Sequence, residues 1–193
     1  MRLLRSIEWS KSNVAECRSA VVDAIFSVLP AYADAAAQAG ADFYDAIRVV
    51  EVGDPMGAIA MSDFDPVAFD GAVRVFVQDV IDGKPIDQFN SKVIDRVDKD
   101  IRRAANMSVA GNAQRDPLKP KYARVPSGGE TCSFCLMLAS RRAVYKKEEA
   151  ASHAHPGCDC RIVPSHGDGS EIEGVRPGRD ISPMEVRRCA LCK

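Results

Sequence analysis

Hydrophobic positions recur every three or four residues through the N-terminal half of the chain, in four separate runs. The first places Val14, Cys17, Val21, Ile25 and Val28 on one helical stripe. Ser10 or Asn13 can cap it, and Pro30 interrupts it. A second stripe follows at Tyr32, Ala36, Ala39, Phe43, Ile47 and Val50, and Gly53-Asp54-Pro55 ends it. The alanines between Ala31 and Ala41 favour helix and permit close approach of a neighbour, although Gly40 weakens the pattern. Asp65-Pro66 supplies a cap and a first-turn proline for the third run, Phe69, Val73, Phe76, Val77, Val80 and Ile81. Gly83-Lys84-Pro85 stops it, and Pro85 or Asp87 opens the fourth: Phe89, Val93, Ile94, Val97, Ile101 and Ala105. Asp95, Arg96, Asp98, Lys99, Asp100, Arg102 and Arg103 lie on its other face, as on a solvated helix. Four such stripes predict an antiparallel helical bundle over residues 1–115. The second run also suits a partner-binding, coiled-coil-like arm, but the short stripes favour an internal bundle helix.

Periodicity stops between Gly111 and Pro126, where three prolines among basic and polar residues read as a linker. Beyond it, Cys132-Ser-Phe-Cys135 is followed by His155-Pro-Gly-Cys158-Asp-Cys160. Zn²⁺ takes four thiolate or imidazole ligands in a tetrahedron, and these turns offer five candidates. Cys132 and Cys135 are expected on one side, with two or three of His155, Cys158 and Cys160 on the other. Leu136, Met137 and Leu138 would line a small core over the metal, with Ala143-Val144-Tyr145 and Arg161-Ile162-Val163 as paired strands. A core of that size rarely holds without a metal or disulfide staple. The expected architecture is thus mainly α: the bundle, a zinc-stapled α+β module over residues 116–165, and a flexible tail over residues 166–193. That tail ends in a second pair, Cys189 and Cys192, whose readings are a Cys₄ site completed with Cys132 and Cys135, a second metal bound with a partner chain, or an idle pair; idle or partner-dependent is preferred.

Composition narrows the chemistry. Of 193 residues, 46% are hydrophobic, enough for a core, and 27% are charged. A net charge of −1 argues against a protein built to coat nucleic acid, so any such contact must be local. Seven cysteines, with no apparent signal peptide or membrane-length apolar run, suggest a reducing compartment and no membrane. Disulfides or a redox dithiol are the alternatives to zinc, but a dithiol explains only Cys132 and Cys135. No phosphate-binding glycine loop, nucleophile elbow or His-Glu-x-x-His occurs. Glu148 and Glu149 stand in the wrong relation to His155 for a catalytic deaminase-type zinc. His153 reads as a solvated loop residue. No catalytic residue and no small-molecule substrate are expected.

Tyr122-Ala-Arg124-Val-Pro126, the Cys-x-x-Cys, Leu136-Met-Leu-Ala-Ser140, Tyr145 and His155-Pro-Gly-Cys-Asp-Cys-Arg161 together resemble phage minor head proteins. These are relatives of the Mu F head-morphogenesis protein, particularly those of actinobacterial phages and prophages. The close likeness covers roughly Lys121 to Pro164, about a quarter of the chain; the terminal Cys-x-x-Cys departs from it. The resemblance implies a non-enzymatic component made with the phage head and associated with portal and major capsid protein. It places the protein in the host cytoplasm before assembly and in the virion afterwards. The alternative is a zinc-ribbon-like nucleic-acid-binding module, in which Lys119, Lys121, Arg124, Arg141, Arg142, Lys146, Lys147 and Arg161 grip phosphate.

Overall fold

A computed structural model describes Trp9, residues 13–126, 133–147 and 160–167, Gly169 and Ile172. Its helices are α1 (Val14–Phe26), α2 (Leu29–Val52), α3 (Pro66–Phe76), the short α4 (Gln78–Ile81) and the long α5 (Ile86–Arg115). Strand β1 (Lys121–Pro126), helix α6 (Ser133–Ala139) and strand β2 (Cys160–Ser165) follow. The mainly helical expectation is met, with one small two-stranded sheet. Local sequence explains the boundaries. Pro30 falls in the first turn of α2, where a missing N–H costs nothing. Gly53 closes that helix with φ 108°, a left-handed conformation that other residues resist. Asp65 Oδ1 accepts from the Val67 and Ala68 amides at 2.9 and 3.0 Å and caps α3.

The central pair is α2 and α5, and it is not antiparallel as the stripes suggested. Ala33 and Ala37 pack with Ala104, Gly40 abuts Ala105, and Tyr44 and Arg48 reach Asp116. Positions rise together on both helices, so the two run in the same direction. The reason lies in residues 54–65, which return along the pair as an extended segment. Asp45 accepts from the Met56 and Ala58 amides at 2.9 and 2.8 Å. Asn112 receives the Ile59 amide at 3.0 Å and donates to the Ile59 carbonyl at 2.8 Å. Ser108 Oγ accepts from Met61 N at 2.9 Å. Helix side chains thereby satisfy backbone groups that would otherwise be sheltered without a ladder. The chain goes up α2, back along this segment, through α3 and α4, and up α5.

The main apolar core joins Val21, Val22, Leu29, Phe69, Val73, Val77, Phe89 and Val93, all buried. Phe26 meets Phe64 and Phe69 edge to face around it, with centroids 5.7 and 5.6 Å apart, and Phe64 and Phe69 are tilted to each other at 6.2 Å. The stripes of α1, α3 and α5 are largely those expected, but α2 is turned. Its buried face is Leu29, Ala33, Ala37, Gly40, Ala41, Tyr44 and Arg48, whereas Tyr32, Ala39 and Val50 face out. Small residues won that interface because α5 approaches so closely: a Cβ on Gly40 would lie 2.4 Å from the Ala105 carbonyl oxygen. The stretch Val14–Val52 is long and apolar enough, by length and composition alone, to cross a membrane, and 28% of its most apolar window is buried. That stretch corrects the expectation that no run reaches membrane length.

The segment read as a linker contains the last turn of α5 and all of β1. Prolines 117 and 120 confine only the turn between them. Tyr122, Ala123, Arg124 and Val125 are buried on both faces, which removes the alternation that marks a half-exposed strand. Strand β1 pairs antiparallel with β2, from Lys121 opposite Ser165 to Pro126 opposite Cys160. Tyr145 forms a single bridge to Tyr122 on the other edge of β1, so it is β1 and not Ala143–Tyr145 that partners Arg161–Val163.

Candidate functional site

The chemistry of the fold's second half begins with how the β1/β2 pair is held on α2 and α5. Asn106 projects from α5 against the outer edge of β2. It receives the Ile162 amide at 3.0 Å and donates to the Cys160 carbonyl at 3.2 Å, in the manner of a neighbouring strand. Tyr44, Val109, Ala110, Ala113, Tyr122 and Ile162 then form one apolar cluster across helices and strands. Residues on both sides of position 115 share this core.

Asp116, fully buried just past α5, is the polar centre of the junction. Its Oδ2 accepts from the Tyr44 hydroxyl and from Arg48 Nε, both at 2.9 Å, and lies 3.3 Å from His166 Nε2. Its Oδ1 accepts from the Leu118 amide at 2.8 Å. Burial pushes the carboxyl up, but the bonds from Leu118, Tyr44, His166 and Arg48 outweigh it and hold the pKa at about 2. The Tyr44 hydroxyl is pushed far up by burial and by the bond to Asp116. Arg48's own bond to Asp116 raises its pKa, and its guanidinium also donates to the Asp54 carbonyl at 2.5 Å. Glu51 Oε2 accepts the His166 amide at 2.8 Å and sits 3.0 Å from His166 Nδ1. His166, expected in a polar tail, instead closes this network, and Gly169 and Ile172 lie against Ala143. An ionised carboxylate fully paired in this way is a structural latch between the end of α5, helix α2 and the residue after β2.

The five expected metal ligands are only partly placed. Cys135 is buried on α6, which packs on β1, and Cys160 is buried at the start of β2, opposite Pro126. Cys132, His155 and Cys158 lie outside the described residues. Among the described residues no group of three or more His, Cys, Asp or Glu is arranged to hold a metal. The two placed thiols suit a closed structural site in their chemistry, being soft donors shielded from water. Tyr145 stands beside them: its hydroxyl donates to the Leu138 carbonyl of α6 at 2.9 Å. Burial pushes that hydroxyl up, with Arg141 and Arg124 pulling it back in part. Arg124 is 1% exposed, so it cannot join the other basic residues in gripping phosphate. Lys119, Lys121, Arg141, Lys146, Lys147 and Arg161 are exposed.

Asp116, Tyr44, Arg48 and Asn106 went unremarked in the sequence. Their signal is polar residues at phases where a helix stripe should stay apolar, with Ser108 and Asn112 continuing the α5 stripe after Ala105.

Residues 3–185 match the sequence profile of a family described as VG15 protein. The chain belongs to that family. It is also similar to the Gene 15 protein of Mycobacterium phage D29, at 30% identity over 101 aligned positions covering 34% of this chain and 36% of that protein. The chain thus spans about a third of the length of the curated relative it matches. No solved structure matches it. This VG15 chain is therefore a member of a phage protein family, as the resemblance implied in its coarser part.

Proposed function

We propose that this VG15 protein is a non-catalytic minor component of the phage head, acting with portal or major capsid protein during head assembly. The observation that carries the reading is the family match across residues 3–185, within which lies the His-Pro-Gly-Cys-Asp-Cys motif block. The described fold supports it physically. Buried Tyr44, Arg48, Asn106 and Asp116 are consumed in joining helices to the strand module, as in a rigid adaptor. In this reading one Zn²⁺, held by four of Cys132, Cys135, His155, Cys158 and Cys160, would fix the chain between β1 and β2 and supply no reactivity. Of these candidates, Cys135 and Cys160 lie among the described residues, and both are buried.

An amber mutation early in the gene tests the role. Non-suppressing infections should yield empty, aberrant or missing heads with normal tails. Normal, DNA-filled heads in normal number would remove the proposal. A second reading is favoured by the exposed cluster Lys119, Lys121, Arg141, Lys146, Lys147 and Arg161: local contact of the strand module with DNA. Micromolar binding with a steep salt slope would support it, and no binding at physiological salt would end it.

A further inference from the structure

Arg124 carries a full charge into the interior of the strand module, at 1% exposure, and the register of the sheet says what it stands beside. It lies opposite Ile162, while Cys160 lies opposite Pro126. Successive residues of a strand alternate between faces, so Arg124, Pro126, Cys160 and Ile162 share one face. Tyr122 and Ile162 pack that face against Tyr44, Val109 and Ala113. Cys160 is thus the diagonal neighbour of Arg124, at about 7–8 Å between backbones, a span that a long side chain crosses. The Tyr145 hydroxyl feels both groups. Burial dominates its upward shift, but Arg141 and Arg124 pull it down, and a negative charge at Cys160 pushes it up. We infer that Arg124 is the charge partner of the metal site, holding the Cys160 thiolate in its ligating position.

This role rests on the zinc reading above and makes Cys160 one of the four ligands. Charge supplies the reason. Four thiolates on Zn²⁺ leave two negative charges, and three thiolates with His155 leave one. Every ligand set that the five candidates allow is therefore anionic. Cys135 and Cys160 are both shielded from water, which would otherwise spread that charge. A buried anion is costly unless a cation is paired with it, and a buried guanidinium is costly without an anion. Guanidinium N–H groups can donate to a thiolate without competing for the metal, because arginine stays protonated and offers no lone pair. Among the described residues of the module, Arg124 is the one buried cation, whereas Lys121, Arg141 and Arg161 are exposed. The competing partner for Arg124 is a carboxylate, and measurements with and without metal separate the two.

The full-length protein is compared with Arg124→Met, which keeps bulk and drops the charge, and Arg124→Lys, which keeps the charge. Elemental analysis of the wild type comes first; a zinc-free protein would end the zinc reading and this inference together. Chelator competition should then show Arg124→Met holding zinc about 10–100-fold more weakly, the usual effect of removing a group that orients a metal ligand, with Arg124→Lys in between. Cobalt(II) in place of zinc reports on the sulfur directly. Without the guanidinium the thiolate electrons are less stabilised, so the thiolate-to-cobalt charge-transfer band should move to longer wavelength. Urea denaturation should give Arg124→Met a lower midpoint with zinc bound but not in excess EDTA, where the anion is gone. Zinc-loaded wild type with unchanged affinity and band in Arg124→Met overturns the inference and leaves the zinc reading standing. So does an equal fall in midpoint with and without zinc, the mark of a carboxylate partner or of packing. Arg124→Lys no tighter than Arg124→Met overturns it as well.

Discussion

Replacing Gly40 by alanine puts the parallel α2–α5 pairing to a quantitative trial. In an isolated helix the change would stabilise by ~1 kcal/mol, because glycine loses the most backbone freedom on folding. Here the new Cβ would sit 2.4 Å from the Ala105 carbonyl oxygen and 3.0 Å from its carbonyl carbon and Cα. These are backbone atoms of a helix and cannot swing aside, so α2 and α5 must separate by nearly an ångström to restore contact distance. A gap of that order forfeits roughly a quarter to a half of each dispersion contact along Ala33, Ala37 and Ala104. It also stretches the 2.9 Å bonds from Tyr44 and Arg48 to Asp116. Overpacking of this kind costs ~1–3 kcal/mol, so the net effect is destabilising despite the propensity gain. Gly71 on α3 is the control: exposed, with nothing within 4 Å of its would-be Cβ, it should gain the propensity term alone. Urea denaturation followed by helical circular dichroism should lower the midpoint for Gly40→Ala and raise it for Gly71→Ala, at constant slope. Gly40→Ala as stable as the wild type would show that the two helices do not cross where described.

Three further outcomes follow from named groups. Asp116, held near 2 against an ordinary 3.8, contributes roughly 2–3 kcal/mol that is fully present above pH ~4 and lost as pH falls through 2; Asp116→Asn should remove that acid-side slope from stability-versus-pH curves, and an unchanged slope would take the latch out of the account. Asp65→Ala should cost about 1 kcal/mol by loss of the α3 cap, read from the same denaturation curves, whereas no change would mean the two amides find water as readily. Protein purified without added metal should carry one Zn²⁺ per chain, and elemental analysis of Cys135→Ser should show it lost, while one of His155→Ala, Cys158→Ser and Cys160→Ser leaves it in place; stoichiometric disulfides and no metal would end the zinc reading.

Helix starts and stops were plain in the sequence because single residues enforce them. Asp65-Pro66 and Gly53 act through their own side chain or backbone, whatever lies nearby. The large apolar residues Phe69, Val73, Val77, Phe89 and Val93 likewise declared the core by bulk and spacing. The rotation of α2 was hidden because its interface is made of alanine, glycine and a paired Arg48, which a hydrophobicity pattern ranks below Tyr32 and Val50. Helix direction was hidden too: short connections imply antiparallel neighbours, and the return along residues 54–65 is written only in Asp45, Ser108 and Asn112. Strand β1 escaped because both its faces are covered and prolines flank it. Of the cysteine segment, Cys135 and Cys160 are buried, while Cys132, His155 and Cys158 lie outside the described residues and rest on spacing alone as candidates.

The head-assembly role is reached most directly by counting this protein in isolated heads. Head-assembly intermediates and finished particles, purified from infected cells on gradients, would be analysed by quantitative mass spectrometry against portal and major capsid protein. The account predicts a fixed, low copy number relative to portal in the intermediates, well below that of major capsid protein. Absence from both intermediates and particles, with the protein recovered free in the lysate, would contradict it.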